Sequence, residues 1–401
     1  MATLHRHVRT GFVRTLLALV AALSLIAGTA AFAFAARVAS APSPPGEVGA
    51  WGSNAFGELG DGTTTDRATP VRVSGLVDAV AVDAGDHHSL ALLSDGTVRA
   101  WGQNGNGELG DGTTTERLTP VQVVGLSGVI AVAGGGFHSL ALLRDGTVRA
   151  WGWNANGQLG DGTTTERHTP VAVGGLTGAV AISAGAYHSL ALLADGTVRA
   201  WGWNPYGQLG DGTTTERHTP VAVTRLSGVT AISAGGFHSL ALLSDGTVRA
   251  WGLNDSGQVG DGTTTNRDAP VAVAGLAGVT ALAGGSFHSL AVVAGGRVRA
   301  WGLNAEGQLG DGTTTDRHTP TAVSGMRGAV AVSAGFDHSL ALLGNGSIAA
   351  WGLDNHGQVG NGTVATIGCH CKTTPVRVKN RTGQPVTMIS AGGDHSLAIQ
   401  P

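Results

Sequence analysis

The sequence predicts an all-β protein, a seven-bladed β-propeller of four-stranded antiparallel blades, with the ring closed by pairing of its N- and C-terminal strands. Three observations predict this fold. A unit of 50 residues recurs seven times, each unit holds four strand-like runs, and the chain ends one strand short of a complete unit. The composition agrees, because 66 of the 401 residues are glycine and only 13% are charged, as expected for many short strands joined by tight turns.

The repeat is marked by an Ala-Trp-Gly step that recurs every 50 residues. Its tryptophans are Trp51, Trp101, Trp151, Trp201, Trp251, Trp301 and Trp351. A His-Ser-Leu-Ala step also occurs once in each unit, at His88, His138, His188, His238, His288, His338 and His395. Repeats of this length typically form solenoids or propellers, in which each unit buries its apolar face against the next.

Four β-prone runs can be assigned within one unit, and none is long enough to suggest a helix. They are Thr97–Trp101, Pro120–Val123, Val129–Ala133 and Ser139–Leu143. The fourth run of one unit is joined to the first run of the next by Asp-Gly, as at Asp95-Gly96, which predicts a hairpin with a type I′ turn. Four antiparallel strands per unit describe a propeller blade.

The two ends of the chain complement each other. Residues 45–52 align with residues 95–102, so they supply the hairpin partner that the last unit lacks. We therefore expect Glu47–Trp51 to pair with Ser396–Gln400, which closes the ring and removes two open sheet edges.

The first 46 residues differ from the repeats. They contain no Asp or Glu, carry Arg6, Arg9 and Arg14, and are apolar from about Leu16 to Ala36. This pattern predicts a signal peptide or an uncleaved membrane anchor over residues 1–36, a linker over 37–46 and the propeller over 47–401. Removal of these three arginines by cleavage after Ala35 leaves 21 basic and 27 acidic residues, and this negative balance disfavours nucleic acid as a partner.

The repeat motifs resemble those of a known family. Each unit carries Trp-Gly-x-Asn-x-x-Gly-(Gln/Glu)-(Leu/Val)-Gly, Ala-Gly-x-x-His-Ser-Leu-Ala-Leu and Asp-Gly-Thr-Val, with small variations, over residues 47–401. This pattern resembles the repeat of the regulator-of-chromosome-condensation family. The resemblance implies a seven-bladed propeller, whereas function varies: the founding nuclear member is a nucleotide exchange factor for the GTPase Ran, and a secreted propeller of similar fold inhibits β-lactamases.

No repeated motif suggests catalysis or a cofactor. His88 and Ser89 are adjacent in a predicted strand and point to opposite faces, so they cannot form a dyad with each other. We expect each repeat histidine to bond a neighbouring strand or blade. The Gly-Asp-Gly-Thr-Thr-Thr segment at Gly60–Thr65 lacks the spaced ligands of a calcium loop, so turn chemistry explains it better. We predict no enzymatic activity, no catalytic residues, no metal and no cofactor.

The last unit departs from the pattern by seven extra residues between Trp351 and His395. They bring Cys369-His370-Cys371 and both lysines of the chain, Lys372 and Lys379. Outside the cytosol two cysteines favour a disulfide. An intermolecular or transient bridge and a metal site are the alternatives.

Strand alternation places the variable positions on one face. If the run at Thr97–Trp101 points upward, the long loop after Trp-Gly and the turn before His-Ser-Leu lie at the upper face, and only short turns lie at the lower face. Nine aromatic residues outside the repeat tryptophans and the export segment occupy this upper face: Phe56, Phe137, Trp153, Tyr187, Trp203, Tyr206, Phe237, Phe287 and Phe336.

We predict that these nine residues bind a partner, because large aromatic side chains on an exposed rim suit an interaction hot spot. The third and fourth repeat units hold Trp153, Tyr187, Trp203 and Tyr206, which centres the site there. The alternative for Phe137, Tyr187, Phe237 and Phe287 is packing between blades.

The sequence therefore predicts a secreted or surface-tethered binding scaffold, monomeric, with a protein partner or, alternatively, a cell-surface glycan. Membrane contact is expected only through an uncleaved N-terminal segment. Two other functions stay open: an exchange-factor-like regulator of a small GTPase, and a secreted enzyme inhibitor of the β-lactamase-inhibitor type.

Overall fold

The computed structural model describes residues 36–37, 44–364 and 369–401, and this part of the chain contains strands and turns but no helix. The expected signal or anchor over residues 1–35 and the linker residues 38–43 lie outside the described residues. The strands are β1 Ala36–Arg37, β2 Glu47–Gly52, β3 Arg67–Arg72, β4 Ala79–Ala84, β5 His88–Leu93, β6 Val98–Gly102, β7 Arg117–Gln122, β8 Val129–Gly134, β9 His138–Leu143, β10 Val148–Gly152, β11 Arg167–Ala172, β12 Ala179–Ala184, β13 His188–Leu193, β14 Val198–Gly202, β15 Arg217–Ala222, β16 Val229–Ala234, β17 His238–Leu243, β18 Val248–Gly252, β19 Arg267–Ala272, β20 Val279–Gly284, β21 His288–Val293, β22 Arg297–Gly302, β23 Arg317–Ala322, β24 Ala329–Ala334, β25 His338–Leu343, β26 Ile348–Leu353, β27 Cys371–Arg377, β28 Met388–Ala391 and β29 His395–Gln400.

These strands form seven antiparallel blades, as predicted. Blades 1 to 6 are β4–β7, β8–β11, β12–β15, β16–β19, β20–β23 and β24–β27, and blade 7 combines β28 and β29 with β2 and β3. The first strand of each blade contacts the first strands of both neighbouring blades, so these strands surround the central channel. The short strand β1 pairs with β16 at the inner edge of blade 4.

Blade 7 closes the ring in the predicted register. β2 pairs with β29 from Glu47 opposite Gln400 to Gly52 opposite His395. Each of the other blades takes its two inner strands from one repeat unit and its two outer strands from the next, so every blade depends on two units.

Two details differ from the sequence-based expectation. The outermost strand begins at Arg117, three residues before the predicted start at Pro120, and its register shifts between Ala100 and Gly102. A proline is tolerated there because an edge strand has no outer neighbour that needs its amide. The Asp-Gly turn is not type I′, because Gly96 has a positive φ of 81° whereas Asp95 does not. Gly96 N–H donates to Leu93 O at 2.9 Å, and the glycine forms the bulge that follows this turn.

The apolar core lies between blades. All seven repeat tryptophans are fully buried, and each packs into the cluster formed largely by the preceding blade; Trp151 of blade 2, for example, lies against Leu90, Leu109 and Val123. Burial of apolar surface in every interface therefore holds adjacent blades together.

The propeller has two distinct ends. The upper end carries the long loops after Trp-Gly and the turns before the repeat histidines, and the lower end carries the turns between the other strands. Within the described ranges, no helix is available that could cross a bilayer.

Candidate functional site

A closed ring of backbone hydrogen bonds frames the upper opening of the channel. Asp86 N–H donates to Gly135 O at 3.2 Å, and equivalent bonds continue from blade to blade until Gly393 N–H donates to Gly85 O at 3.1 Å. We call this opening the mouth and define it by residues 85–87, 135–137, 185–187, 235–237, 285–287, 335–337 and 392–394. Because every turn is bonded to the next, the mouth is a fixed frame for the side chains it carries.

Glycine is required at the first position of each mouth turn. A Cβ atom on Gly135 would lie 2.5 Å from His138 Cε1 and 2.6 Å from Gly185 O. Contacts this short are not tolerated, so any side chain here would push adjacent blades apart.

The repeat histidines and serines form a second closed ring beneath the mouth. The Nε2 atom of His88 lies 2.9 Å from Ser139 Oγ in the next blade. The same contact, at 2.8 to 2.9 Å, joins His138 to Ser189, His188 to Ser239, His238 to Ser289, His288 to Ser339, His338 to Ser396 and His395 to Ser89. Each histidine therefore ties one blade to the next, as the sequence predicted, and its serine partner comes from the following unit.

The protons in this ring can be assigned from the bonds. Ser139 Oγ donates to Glu108 O at 2.9 Å, so it accepts from an Nε2–H of His88. Nδ1 of His138 has no hydrogen-bond partner among the residues that the structure describes, and burial lowers the pKa of this imidazole to about 3. The histidines are therefore neutral, and the serines are fully buried with their protons bound to carbonyls, which is unsuited to nucleophilic catalysis.

Each repeat tryptophan shares an acceptor with this ring. Trp151 Nε1–H donates to Glu108 O at 2.7 Å, the same carbonyl that accepts from Ser139 Oγ. Two buried donors of one blade thus hold the upper loop of the preceding blade.

The Gly-Asp-Gly-Thr-Thr-Thr loops are ordered by side chains of the chain itself. Fully buried Asn54 donates through Nδ2 to Thr63 O at 3.0 Å and accepts from Leu59 N–H at 2.9 Å. Asp61 accepts from Thr63 N–H at 2.9 Å and forms an ion pair with Arg67 at 2.8 Å. No set of three or more His, Cys, Asp or Glu residues in the described ranges is arranged to hold a metal ion.

The nine predicted partner-binding aromatic residues all lie in upper loops or mouth turns, and all are half-buried. Seven of them form one continuous network with ring centroids 5.3 to 6.3 Å apart: Phe137, Trp153, Tyr187, Trp203, Tyr206, Phe237 and Phe287. The other two, Phe56 and Phe336, each contact the His87 ring, with centroid distances of 5.4 and 6.3 Å.

The aromatic residues of the mouth turns both pack between blades and remain partly exposed. Phe137, Tyr187, Phe237 and Phe287 belong to four consecutive blades, and each contacts the ring of the next at 5.3 to 5.9 Å. They thus bridge blades through their edges while part of each ring stays open at the mouth. Edge-to-face and tilted contacts of this kind fix the orientation of the rings.

Sequence reasoning missed the carboxylates that complete the mouth. Asp337 and Asp394 occupy the position that holds Phe287 in blade 5, directly before the repeat histidine, and Asp86 lies one residue before His87 in blade 1. Four other blades hold an aromatic residue at the position of Asp337 and Asp394, but only the closed ring brings these two carboxylates to the blades adjoining Asp86.

The cysteines form the first of the three predicted alternatives, a disulfide between Cys369 and Cys371. It lies at the start of β27, where Lys372 Nζ is 3.7 Å from Asp354 Oδ2. Asp354 is fully buried and stands where the other units have the loop-ordering asparagine. The lysine therefore balances a charge that only this unit carries.

Comparison with protein families gives one result over the whole propeller. The model described as the regulator of chromosome condensation (RCC1) repeat matches seven times, at residues 45–92, 95–142, 145–192, 195–242, 245–292, 295–342 and 345–399.

Three solved structures have a similar fold. Yeast RCC1 (Prp20) bound to Kap60 is 24% identical, with 92% of this chain and 91% of that chain covered and a TM-score of 0.78. Prp20p from Saccharomyces cerevisiae, described with its binding to Gsp1p and histones, is 24% identical, with coverages of 91% and 93% and a TM-score of 0.77. Human WBSCR16 is 24% identical, with coverages of 88% and 100% and a TM-score of 0.78.

Proposed function

The chain belongs to the regulator of chromosome condensation (RCC1) repeat family, and from this premise we propose that it is a binding propeller that recognises a protein partner through the aromatic residues of its upper end. The observation that carries the proposal is the seven-ring network, because half-buried aromatic side chains held in fixed orientation lose little entropy on binding.

Relatives with the same fold support a protein rather than a glycan as the partner. The yeast protein was solved in complex with Kap60, and its binding to Gsp1p and histones is described. The rings themselves favour the same choice. Trp153 and Tyr187 meet edge to face, with an interplanar angle of 73°, whereas stacking on a sugar requires an open ring face.

We further propose that the protein acts outside the cytosol, secreted or held by its N-terminal segment, as a monomer without catalytic activity. The acid-free, apolar start of the chain and the disulfide between Cys369 and Cys371 support export. Fractionation of epitope-tagged protein into cytosol, membrane and medium tests this.

Regulation of a small GTPase is the second candidate, favoured by family membership and by the Gsp1p binding described for the yeast relative. Release of labelled GDP from a panel of purified small GTPases, with and without this protein, tests it. No acceleration with any member of the panel would argue against it.

Capture from the native surroundings tests the main proposal. We expect wild-type protein to retain one stoichiometric partner from culture medium or cell-wall extract, and the triple variant Trp153→Ala, Trp203→Ala, Tyr206→Ala to retain it at least about tenfold less well. The matched control is Val77→Ser with Val124→Ser, which alters two exposed apolar residues of the lower end. Equal capture by all three proteins would refute the proposal.

A further inference from the structure

The mouth is divided into two arcs of different chemistry. Blades 2 to 5 contribute Phe137, Tyr187, Phe237 and Phe287, which we call the aromatic arc. Blades 6, 7 and 1 contribute Asp337, Asp394 and Asp86, which we call the acidic arc. Because the blades form a closed ring, the two arcs together line the whole opening.

Two carboxylates of the acidic arc are held in place from below. Gln308 Nε2 donates to Asp337 Oδ1 at 2.8 Å, and Gln358 Nε2 donates to Asp394 Oδ1 at 3.2 Å. Both glutamines are fully buried. A buried donor fixes the position of each carboxylate before any ligand arrives, and this preorganisation lowers the entropic cost of binding.

At two of the four equivalent positions beside the aromatic arc, the glutamine lacks a partner. Gln158 and Gln208 are fully buried, and their Nε2 atoms form no hydrogen bond within the described residues. Their counterparts Gln308 and Gln358, in the upper loops of blades 5 and 6, each reach the mouth carboxylate of the following blade. Only the carboxylates of the acidic arc therefore accept from this glutamine position at the mouth.

Within the described residues, no Lys or Arg forms an ion pair with a carboxylate of the acidic arc. Burial, together with the charge of Asp394, raises the pKa of Asp86 to about 7 and that of Asp337 to about 6. Burial raises the pKa of Asp394, an effect that the charges of His356 and His87 oppose. Hydrogen bonding to Glu58, whose Oε1 lies 3.8 Å from His87 Nδ1, raises the pKa of His87. A cation bound in the arc would reduce the electrostatic repulsion among Asp86, Asp337 and Asp394.

The distribution of charge between the two ends of the propeller also favours a basic partner. The upper end carries 21 of the 27 acidic residues but only seven Lys or Arg, and six of these are paired with loop aspartates such as Asp61. The lower end carries six acidic residues and 13 Lys or Arg. A partner approaching the mouth therefore meets a negative field, which favours a positively charged surface.

We propose that the mouth binds a basic, partly apolar protein segment, with a Lys or Arg side chain of the partner entering between Asp86, Asp337 and Asp394 while neighbouring apolar side chains pack on the aromatic arc. The inference rests on the proposed function and adds the chemistry of the partner. Specificity comes from the acidic arc, and most of the buried area comes from the aromatic arc.

Short synthetic peptides test this with full-length protein. The probes are a fluorescent peptide of alternating Arg and Leu and a matched peptide of alternating Glu and Leu, followed by anisotropy at low and physiological salt. We expect only the basic peptide to bind. We expect the variant Asp86→Asn, Asp337→Asn, Asp394→Asn to bind it at least about tenfold more weakly. The control Asp95→Asn, Asp145→Asn, Asp195→Asn neutralises three lower-end aspartates and should bind like wild type.

Equal binding of both peptides, or full binding by the mouth variant with an unchanged melting temperature, would overturn the inference. The proposed function is judged separately by partner capture. If the native partner is retained in an aromatic-dependent manner but the mouth variant and the basic peptide leave capture unchanged, the partner chemistry is wrong and the binding function stands. If the basic peptide binds through the acidic arc but capture of the partner does not depend on the aromatic residues, the partner chemistry stands and the proposed role of the aromatic residues is wrong.

Discussion

The imidazole Nε2 of His395 lies 2.9 Å from Ser89 Oγ, although the two residues are 306 positions apart in the chain. This bond joins blade 7 to blade 1 and completes a ring of seven buried His–Ser contacts. Because each contact connects two blades, a substitution that removes one partner leaves the other buried in the interface without this hydrogen bond.

The substitution His188→Ala should lower the free energy of unfolding by about 1–3 kcal/mol, because Ser239 loses its donor inside a dry interface. Chemical denaturation measures the change. The matched control is His168→Ala, at an exposed position in the outer strand, which should leave stability nearly unchanged. If the two variants unfold at the same denaturant concentration, the ring is not structural.

Stability should fall steeply as the pH drops from about 6.5 to about 4. Burial lowers the pKa of His88, His138, His188, His238 and His288 to about 3 and that of His338 to about 4, and the pKa of His395 is lowered in the same way. The unfolded chain binds protons at these histidines near pH 6.5 and the folded chain does not, so acid favours unfolding.

Five carboxylates oppose this trend. Burial raises the pKa of Asp83 and Asp337 to about 6 and that of Asp86 to about 7, and it also raises the pKa of Asp354 and Asp394, so the folded state holds protons there that the unfolded chain releases. Seven histidines outweigh five carboxyls, so the net effect of acid is destabilising. Urea midpoints at pH 7, 6 and 5 measure it. His188→Gln should show a shallower dependence, and midpoints that do not change with pH would contradict the assignment of neutral histidines.

Removal of the last strand should open the ring. Deletion of Leu397–Pro401 removes most of β29, whose Leu397 and Ile399 are fully buried, and should cost several kcal/mol. Deletion of Pro401 alone, which is exposed, is the control. A truncated protein that melts within about a degree of the full chain would show that the ring does not depend on this pairing.

Gly135→Ala should be far more damaging than Gly105→Ala. The added Cβ would lie 2.6 Å from Gly185 O at the first site, whereas nothing lies within 4 Å of it at the second. We expect a loss of about 1–3 kcal/mol or more for Gly135→Ala and a change near zero for Gly105→Ala. Thermal melts of both variants measure this, and equal melting temperatures would mean that the blades adjust freely at the mouth.

Most of the fold follows from sequence because the repeat determines it. A strict 50-residue spacing fixes the number of blades, and the fragment at Glu47–Trp51 fixes how the ring closes. The turn type was missed because Asp-Gly fits two hairpin geometries, and only φ at Asp95 distinguishes them.

The candidate site was predicted only in part. Aromatic residues stand out in a chain with few of them, so the network could be expected from composition and strand direction. The acidic arc could not, because Asp337 and Asp394 resemble ordinary surface residues until the closed ring places them beside Asp86. The partner of each histidine was also missed, since Ser239 lies 51 residues beyond His188 and meets it only through blade packing.

Site-specific photo-crosslinking tests whether the partner binds at the upper end. A photoreactive phenylalanine analogue is placed at Trp203 or Tyr206 in the upper end, or at Arg225 or Arg327 in the lower end, and the protein is irradiated in its native surroundings. We expect one discrete adduct from positions 203 and 206 and none from 225 and 327, with the adduct lost in the variant that neutralises the acidic arc. A discrete adduct from the lower positions, or none from the upper positions while the partner is still captured, would contradict binding at the upper end.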